Sequence, residues 1–126
     1  NMWANNRSKD RLKTDISYRI KRYVSDGIRK ALKKGNLKKK CKTLTLLGCT
    51  IPELKAHLES LFIEGMTWNN YGKWHIDHKR PCASFDLIDF EQQKICFHYT
   101  NLQPLWSLDN IMKNSFYEGK RNYYNN

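Results

Sequence analysis

Apolar residues return at every fourth position across the first third of the chain: Leu12, Ile16, Ile20, Val24, Ile28 and Leu32, with Tyr23 and Ala31 widening the stripe. That spacing lines them along one face and predicts a helix from Lys9 to Lys34. Arg11, Lys13, Arg19, Lys21, Arg22, Arg29, Lys30 and Lys33 occupy its other faces. Gly27 lies inside the run, where a break is an open alternative, and Gly35-Asn36 is the expected stop. The apolar stripe is expected to pack while the basic faces meet solvent or phosphate. One helix can do both.

A second helix is announced by Thr50-Ile51-Pro52-Glu53, a capping box in which the Thr hydroxyl and Glu carboxylate satisfy the first free amides. Proline is tolerated there because early helical amides have no partner within the helix. Leu54, Leu58, Leu61 and Phe62 supply its expected buried face, to about residue 62, with His57 at the surface or boundary. Gly65 to Gly72 reads as a structured loop with aromatic anchors. Trp74-His75-Ile76-Asp77-His78 alternates like a short strand, which Pro81 ends. Asp89 is placed to cap a short helix to Phe97, with Phe90, Ile95 and Phe97 for burial. Leu102 to Trp106 is a second strand, and Pro104 argues for an edge. Ser107 can cap a last helix through about Lys113, with Asp109 at its positive end. The polar, aromatic tail from Asn114 is expected to be loosely ordered.

A chain of 126 residues is the size of one domain, with 40% apolar residues, too many for wholesale disorder. Charge divides it unevenly. Residues 1–43 carry 15 basic and 3 acidic side chains, or +12, and residues 44–126 carry 8 and 9, or −1. This suggests a basic helical arm (1–43) on a nearly neutral body (44–126), and a polyanionic partner. No apolar run approaches the roughly 18 residues of a membrane span, and Asn1–Asp10 has no signal-peptide pattern. The expectation is an intracellular protein, cytoplasmic or nuclear in a eukaryotic host, not secreted and without a membrane partner. The apolar stripe also lacks the Trp or Phe of a membrane-surface helix. Cys41, Cys49, Cys82 and Cys96 form no C-x-x-C pair, so a four-cysteine zinc ribbon is not expected. Cys82 and Cys96 read as buried small apolar residues.

The order strand, long loop, strand, helix puts Asp77 and His78 at the end of the first strand, Asn101 just before the second, and Asn110 in the last helix. With Tyr99-Thr100-Asn101-Leu102-Gln103-Pro104-Leu105-Trp106 and Asp109-Asn110-Ile111-Met112-Lys113, this pattern resembles the HNH, or ββα-metal, nuclease family. The wider stretch from Leu47-Gly48-Cys49 to Lys113, including Gly65-Met66-Thr67-Trp68, is similar to HNH endonucleases of phages and large viruses. The resemblance implies an α+β fold: two short antiparallel strands and a helix, about 74–113, with N-terminal helices flanking them. It implies metal-dependent hydrolysis of DNA phosphodiester bonds, nicking or cutting both strands, on double-stranded DNA.

The resemblance makes Asp77 and Asn110 ligands of one divalent cation, His78 the general base, and Asn101 the residue whose hydrogen bonds pin the loop and orient the histidine. Lys113 would face a phosphate. Lys79, Arg80 and His75 would contact DNA near the site, and Lys38, Lys39 and Lys40 would do so from the arm. Physical chemistry asks for the same parts. Hydrolysis needs an activated water and relief for the departing oxygen, and an imidazole near pKa ~6.5 is a suitable base. The motif here is His-Asn-Asn, so the third position offers oxygen rather than imidazole. That favours Mg²⁺ or Mn²⁺ over Zn²⁺.

Strict strand alternation would put His75 and Asp77 on one face and His78 on the other, which keeps His75 in play as the base. Two other readings also stay open. One is a catalytically silent nucleic-acid-binding domain. The other is a nuclease module of a larger parent effector, of CRISPR or homing type, or one working as a homodimer.

Overall fold

The computed structural model describes residues 15–114, 116–117 and 120–121. Lys9 to Thr14, the expected first turns of the basic helix, and residues 122–126 of the tail lie outside these. In chain order the elements are α1 (Ile16–Lys34), α2 (Thr43–Leu47), α3 (Ile51–Ser60), β1 (Trp74–His78), α4 (Phe90–Phe97), β2 (Leu102–Trp106) and α5 (Ser107–Asn114). The short strands β3 (Phe116–Tyr117) and β4 (Lys120–Arg121) pair with each other in the tail that the sequence left loose. The protein is α+β, with β1 antiparallel to β2 and Asp77 opposite Gln103, His78 opposite Leu102.

Helix α1 begins where Asp15, in extended backbone, accepts a hydrogen bond from the Tyr18 amide at 3.0 Å. It runs through Gly27 without a break, because the four-residue stripe continues on both sides. Its buried residues are Ile20, Val24, Ser25, Ile28 and Leu32. Ile20 and Val24 join Leu47, Leu54, Leu58, Trp68, Trp74 and Leu102 in one core, while Ile28 and Leu32 join Leu46, Phe85, Cys96 and Phe97 in a second. The charge boundary near residue 43 therefore does not coincide with a packing boundary. Trp74 anchors the first core: fully buried, its indole N–H donates to the Thr67 carbonyl (2.7 Å) and to Asn70 Oδ1 (2.9 Å).

The capping box at α3 is complete, with the Glu53 amide donating to Thr50 Oγ1 at 3.2 Å and the Thr50 amide to Glu53 Oε1 at 3.2 Å. Several burial expectations need correction, and Cys82, expected to be buried, is half-buried. The helix stops at Ser60, so Leu61 sits past its end and is exposed. On α4, Phe90 and Ile95 are exposed, because its inward stripe is Gln93, Cys96 and Phe97. Gln93 is buried without penalty since its amide donates to the Leu87 carbonyl at 2.6 Å.

Gly48 ends α2 at φ +70°, and a Cβ built there would lie 2.8 Å from two atoms of the His98 ring. That ring is held at Nδ1, which accepts from the Thr100 amide at 3.3 Å and lies 2.7 Å from Thr100 Oγ1. Gly48→Ala is expected to cost about 1–3 kcal/mol from left-handed backbone and the displaced imidazole together. A thermal melt will read this as a midpoint several degrees lower. An unchanged midpoint would contradict the close approach.

Candidate active site

The end of β1 is where polar chemistry is buried. Asp77 is only 6% exposed, and its carboxylate oxygen Oδ2 is held by two donors. Gln103, its partner across the sheet, donates from Nε2 to Oδ2 at 2.9 Å. From α5, the Lys113 ammonium lies 3.1 Å from Oδ2 and donates to the His78 carbonyl at 2.6 Å. One lysine thus ties the helix to both residues of the Asp-His pair. The sequence pointed this lysine towards a phosphate; here it rests on the Asp77 carboxylate, the group expected to hold a metal ion.

Asn110 lies one helical turn before Lys113 and so on the same side of α5. Its side-chain oxygen is buried and has no hydrogen-bond partner. Such an orphan acceptor is uncommon in a folded protein, and a bound ion or an ordered water would satisfy it. Asn110, Asp77 and His78 line a single groove of about 1030 Å³, together with Pro81, Cys82, Phe85 and, from α1, Lys30 and Lys34. Adjacent Asp77 and His78 therefore open on the same space, although strict alternation would separate them.

His75 goes elsewhere: its Nδ1 is 3.1 Å from Ser107 Oγ and its ring stands edge-on to Tyr71 at 5.5 Å. It lines a smaller cavity of about 290 Å³ with Tyr23, Tyr71 and Ile76, which His78 also borders.

Asn101 organises the loop after β1. Its Oδ1 accepts from the Arg80 amide at 2.9 Å, and its Nδ2 donates to the carbonyls of Arg80 (3.1 Å) and Cys96 (2.8 Å). The Lys79 amide adds a bond to the Asn101 carbonyl at 2.7 Å. One amide side chain thereby joins the segment leaving His78 to the end of α4. Arg80 spends its guanidinium locally, donating to Ser84 Oγ (3.1 Å) and the Ser84 carbonyl (3.0 Å) and lying 3.9 Å over the Phe85 ring. Lys79 is exposed, as are Lys38 and Lys40. Lys39 is half-buried and donates to Thr43 Oγ1; desolvation and the neighbouring Arg29 charge lower its pKa.

Two features of the site were missed in the sequence. Lys30 and Lys34 reach the groove from a helix some fifty residues upstream, a placement only tertiary packing creates. The other is a thiol pair beside His78. The Cys96 thiol donates to Cys82 Sγ at 3.4 Å, and His78, Cys82 and Cys96 bring their ligand atoms within 4.8 Å of one another. The bond from Cys96, aided by His78, lowers the Cys82 pKa against the opposing effect of burial. Donation to Cys82 and burial raise that of Cys96. The only signal in sequence was Cys82 four positions after His78, which is weak.

The donor chemistry fits a hard divalent cation. Asp77 offers carboxylate oxygens and Asn110 an amide oxygen without a partner, the ligand types that Mg²⁺ and Mn²⁺ prefer. No helix among the described residues is long and apolar enough to cross a membrane.

Among known proteins, the chain is similar to two uncharacterised proteins of Acanthamoeba polyphaga mimivirus. One is 39% identical over 112 residues, covering 88% of this chain and 48% of the relative. The other is 41% identical over 98 residues, covering 77% of this chain and 42% of the relative. No protein-family profile matches the chain, and no solved structure matches it significantly. The chain spans about half the length of the curated relatives it matches, and both of those relatives are viral.

Proposed function

We propose that the protein is a metal-dependent endonuclease of HNH type, whose ββα unit is β1, β2 and α5, and that it hydrolyses DNA phosphodiester bonds. The observation that carries this reading is the unpartnered Asn110 oxygen in the groove that also receives Asp77 and His78. Asp77 and Asn110 would hold one Mg²⁺ or Mn²⁺. When bound, that ion supplies positive charge to the phosphate and the departing 3′ oxygen. His78, on the same groove, takes the proton from the attacking water, so that in-line displacement leaves a 5′-phosphate and a 3′-hydroxyl. Asn101 acts through position, holding the segment that follows His78. Lys113 orients the Asp77 carboxylate from α5.

The groove also supports DNA as the substrate. Lys30 and Lys34 stand on its α1 wall, and Lys38, Lys40 and Lys79 are exposed elsewhere on the chain. Contacts of this kind go to phosphates and supply affinity that falls with salt rather than sequence choice. Because α1 contributes Ile20, Val24, Ile28 and Leu32 to both cores, that role is probed by substituting Lys30 and Lys34, not by removing the helix.

One observation favours a second reading. The Lys113 ammonium already occupies the Asp77 carboxylate at 3.1 Å, as expected of a silent DNA-binding domain that holds no metal. Calorimetry with Mg²⁺ separates the two. The wild type should bind the ion, and Asp77→Asn, which keeps the side chain's shape, should lose it. Unchanged affinity in that variant would remove Asp77 from the site.

A further inference from the structure

We propose that His78, Cys82 and Cys96 form a second metal site, suited to a thiophilic divalent cation such as Zn²⁺, and that its occupation switches the nuclease off by engaging His78. The geometry is close to what the metal needs. Tetrahedral Zn²⁺ with Zn–S bonds of about 2.3 Å sets two sulfurs about 3.8 Å apart. Here they are 3.4 Å apart, so the sulfur pair needs to open by only a few tenths of an ångström, and the His78 ring has to close on it. The imidazole completes three ligands, all within 4.8 Å of one another.

The three come from separate elements: His78 from the end of β1, Cys82 from the turn Cys82–Ser84, and Cys96 from α4. Asn101 staples those elements together by bonding residue 80 to residue 96, so the cluster is held in place before any ion arrives. On binding, each thiol gives its proton to solvent, two thiolates balance the dication, and the neutral imidazole donates a lone pair. Cys82 and His78 both border the groove, which leaves the fourth position open to water.

Two sulfurs and a nitrogen are a poor set for Mg²⁺ and a good one for Zn²⁺, so this site and the Asp77–Asn110 oxygen pair select different ions. Inhibition rests on the nuclease reading, because an imidazole bound to Zn²⁺ has no lone pair left to accept a proton from water. The site itself does not rest on that reading.

The reduced protein should bind one Zn²⁺ per chain by calorimetry. With Co²⁺ as a stand-in, it should show thiolate-to-metal charge transfer and the visible bands of a tetrahedral ion. Cys82→Ser, at a half-buried position, should weaken Zn²⁺ binding by roughly a hundredfold or more and remove the charge-transfer band, with the melting profile retained. Asp77→Asn should keep both signals. Wild-type protein without a thiolate band, or a Cys82→Ser variant that binds Zn²⁺ as tightly, would overturn the site. In plasmid nicking with Mg²⁺, one equivalent of Zn²⁺ should suppress the wild type and spare Cys82→Ser; equal suppression of both would overturn the switch. If the wild type nicks nothing in Mg²⁺, the nuclease reading fails, while the cobalt spectrum still decides the site.

Discussion

His78→Ala is expected to lower Mg²⁺-dependent plasmid nicking by about 10²–10⁴-fold, the usual worth of a positioned acid–base group. DNA retention should be unchanged, since Lys30 and Lys34 on the groove wall stay in place. The substitution is structurally mild. His78 is half-buried, its ring touches Phe97 edge-on at 5.8 Å, and its bond to Lys113 uses the backbone carbonyl, which alanine keeps. Lys113 therefore still bridges α5 to the end of β1. Loss of nicking with retained binding and melting would place the defect in chemistry; undiminished nicking would take the role of base away from His78.

Asn101→Ala should give the largest loss of stability tied to the site. It deletes three hydrogen bonds, to the Arg80 amide, the Arg80 carbonyl and the Cys96 carbonyl. At about 0.5–1.5 kcal/mol each, the total is about 1.5–4.5 kcal/mol. Nicking should fall with it, because the segment leaving His78 loses its tie to α4. Asn101→Asp should be no better than alanine: it keeps an acceptor for the Arg80 amide but turns a carboxylate oxygen towards two carbonyls. A denaturant titration will report the difference. A midpoint within error of wild type would show that the loop is held by other means.

The elements that were legible in sequence are those with a long or chemically marked signature. Five apolar residues at four-residue spacing from Ile16 to Leu32 define α1, and its unbroken course through Gly27 follows from that stripe. The Thr50–Glu53 capping box marks the start of α3 to the residue. Helix α2, five residues long, is too short for a period to show. Helix α4 hides Gln93 and exposes Ile95, because a bond to the Leu87 carbonyl makes a polar side chain the cheaper one to bury.

The site divides in the same way. Asp77, His78 and Asn110 stand out as a pattern of residue types in order, and the structure brings them to one groove. Their partners do not stand out. Lys113 on Asp77, Lys30 and Lys34 on the groove wall, and Cys96 against Cys82 are tertiary juxtapositions that no local spacing encodes. Arg80 shows local partners that the sequence did not signal. A basic residue beside the motif reads as a DNA contact; in the structure its guanidinium donates to the Ser84 carbonyl and lies over the Phe85 ring.

The most direct measurement is incubation of the purified chain with supercoiled plasmid in Mg²⁺, in Mn²⁺ and in EDTA, with the ends of any product sequenced. The account predicts relaxed or linear plasmid in either metal, none in EDTA, and ends bearing 5′-phosphate and 3′-hydroxyl. Retarded but uncut plasmid in both metals would contradict it.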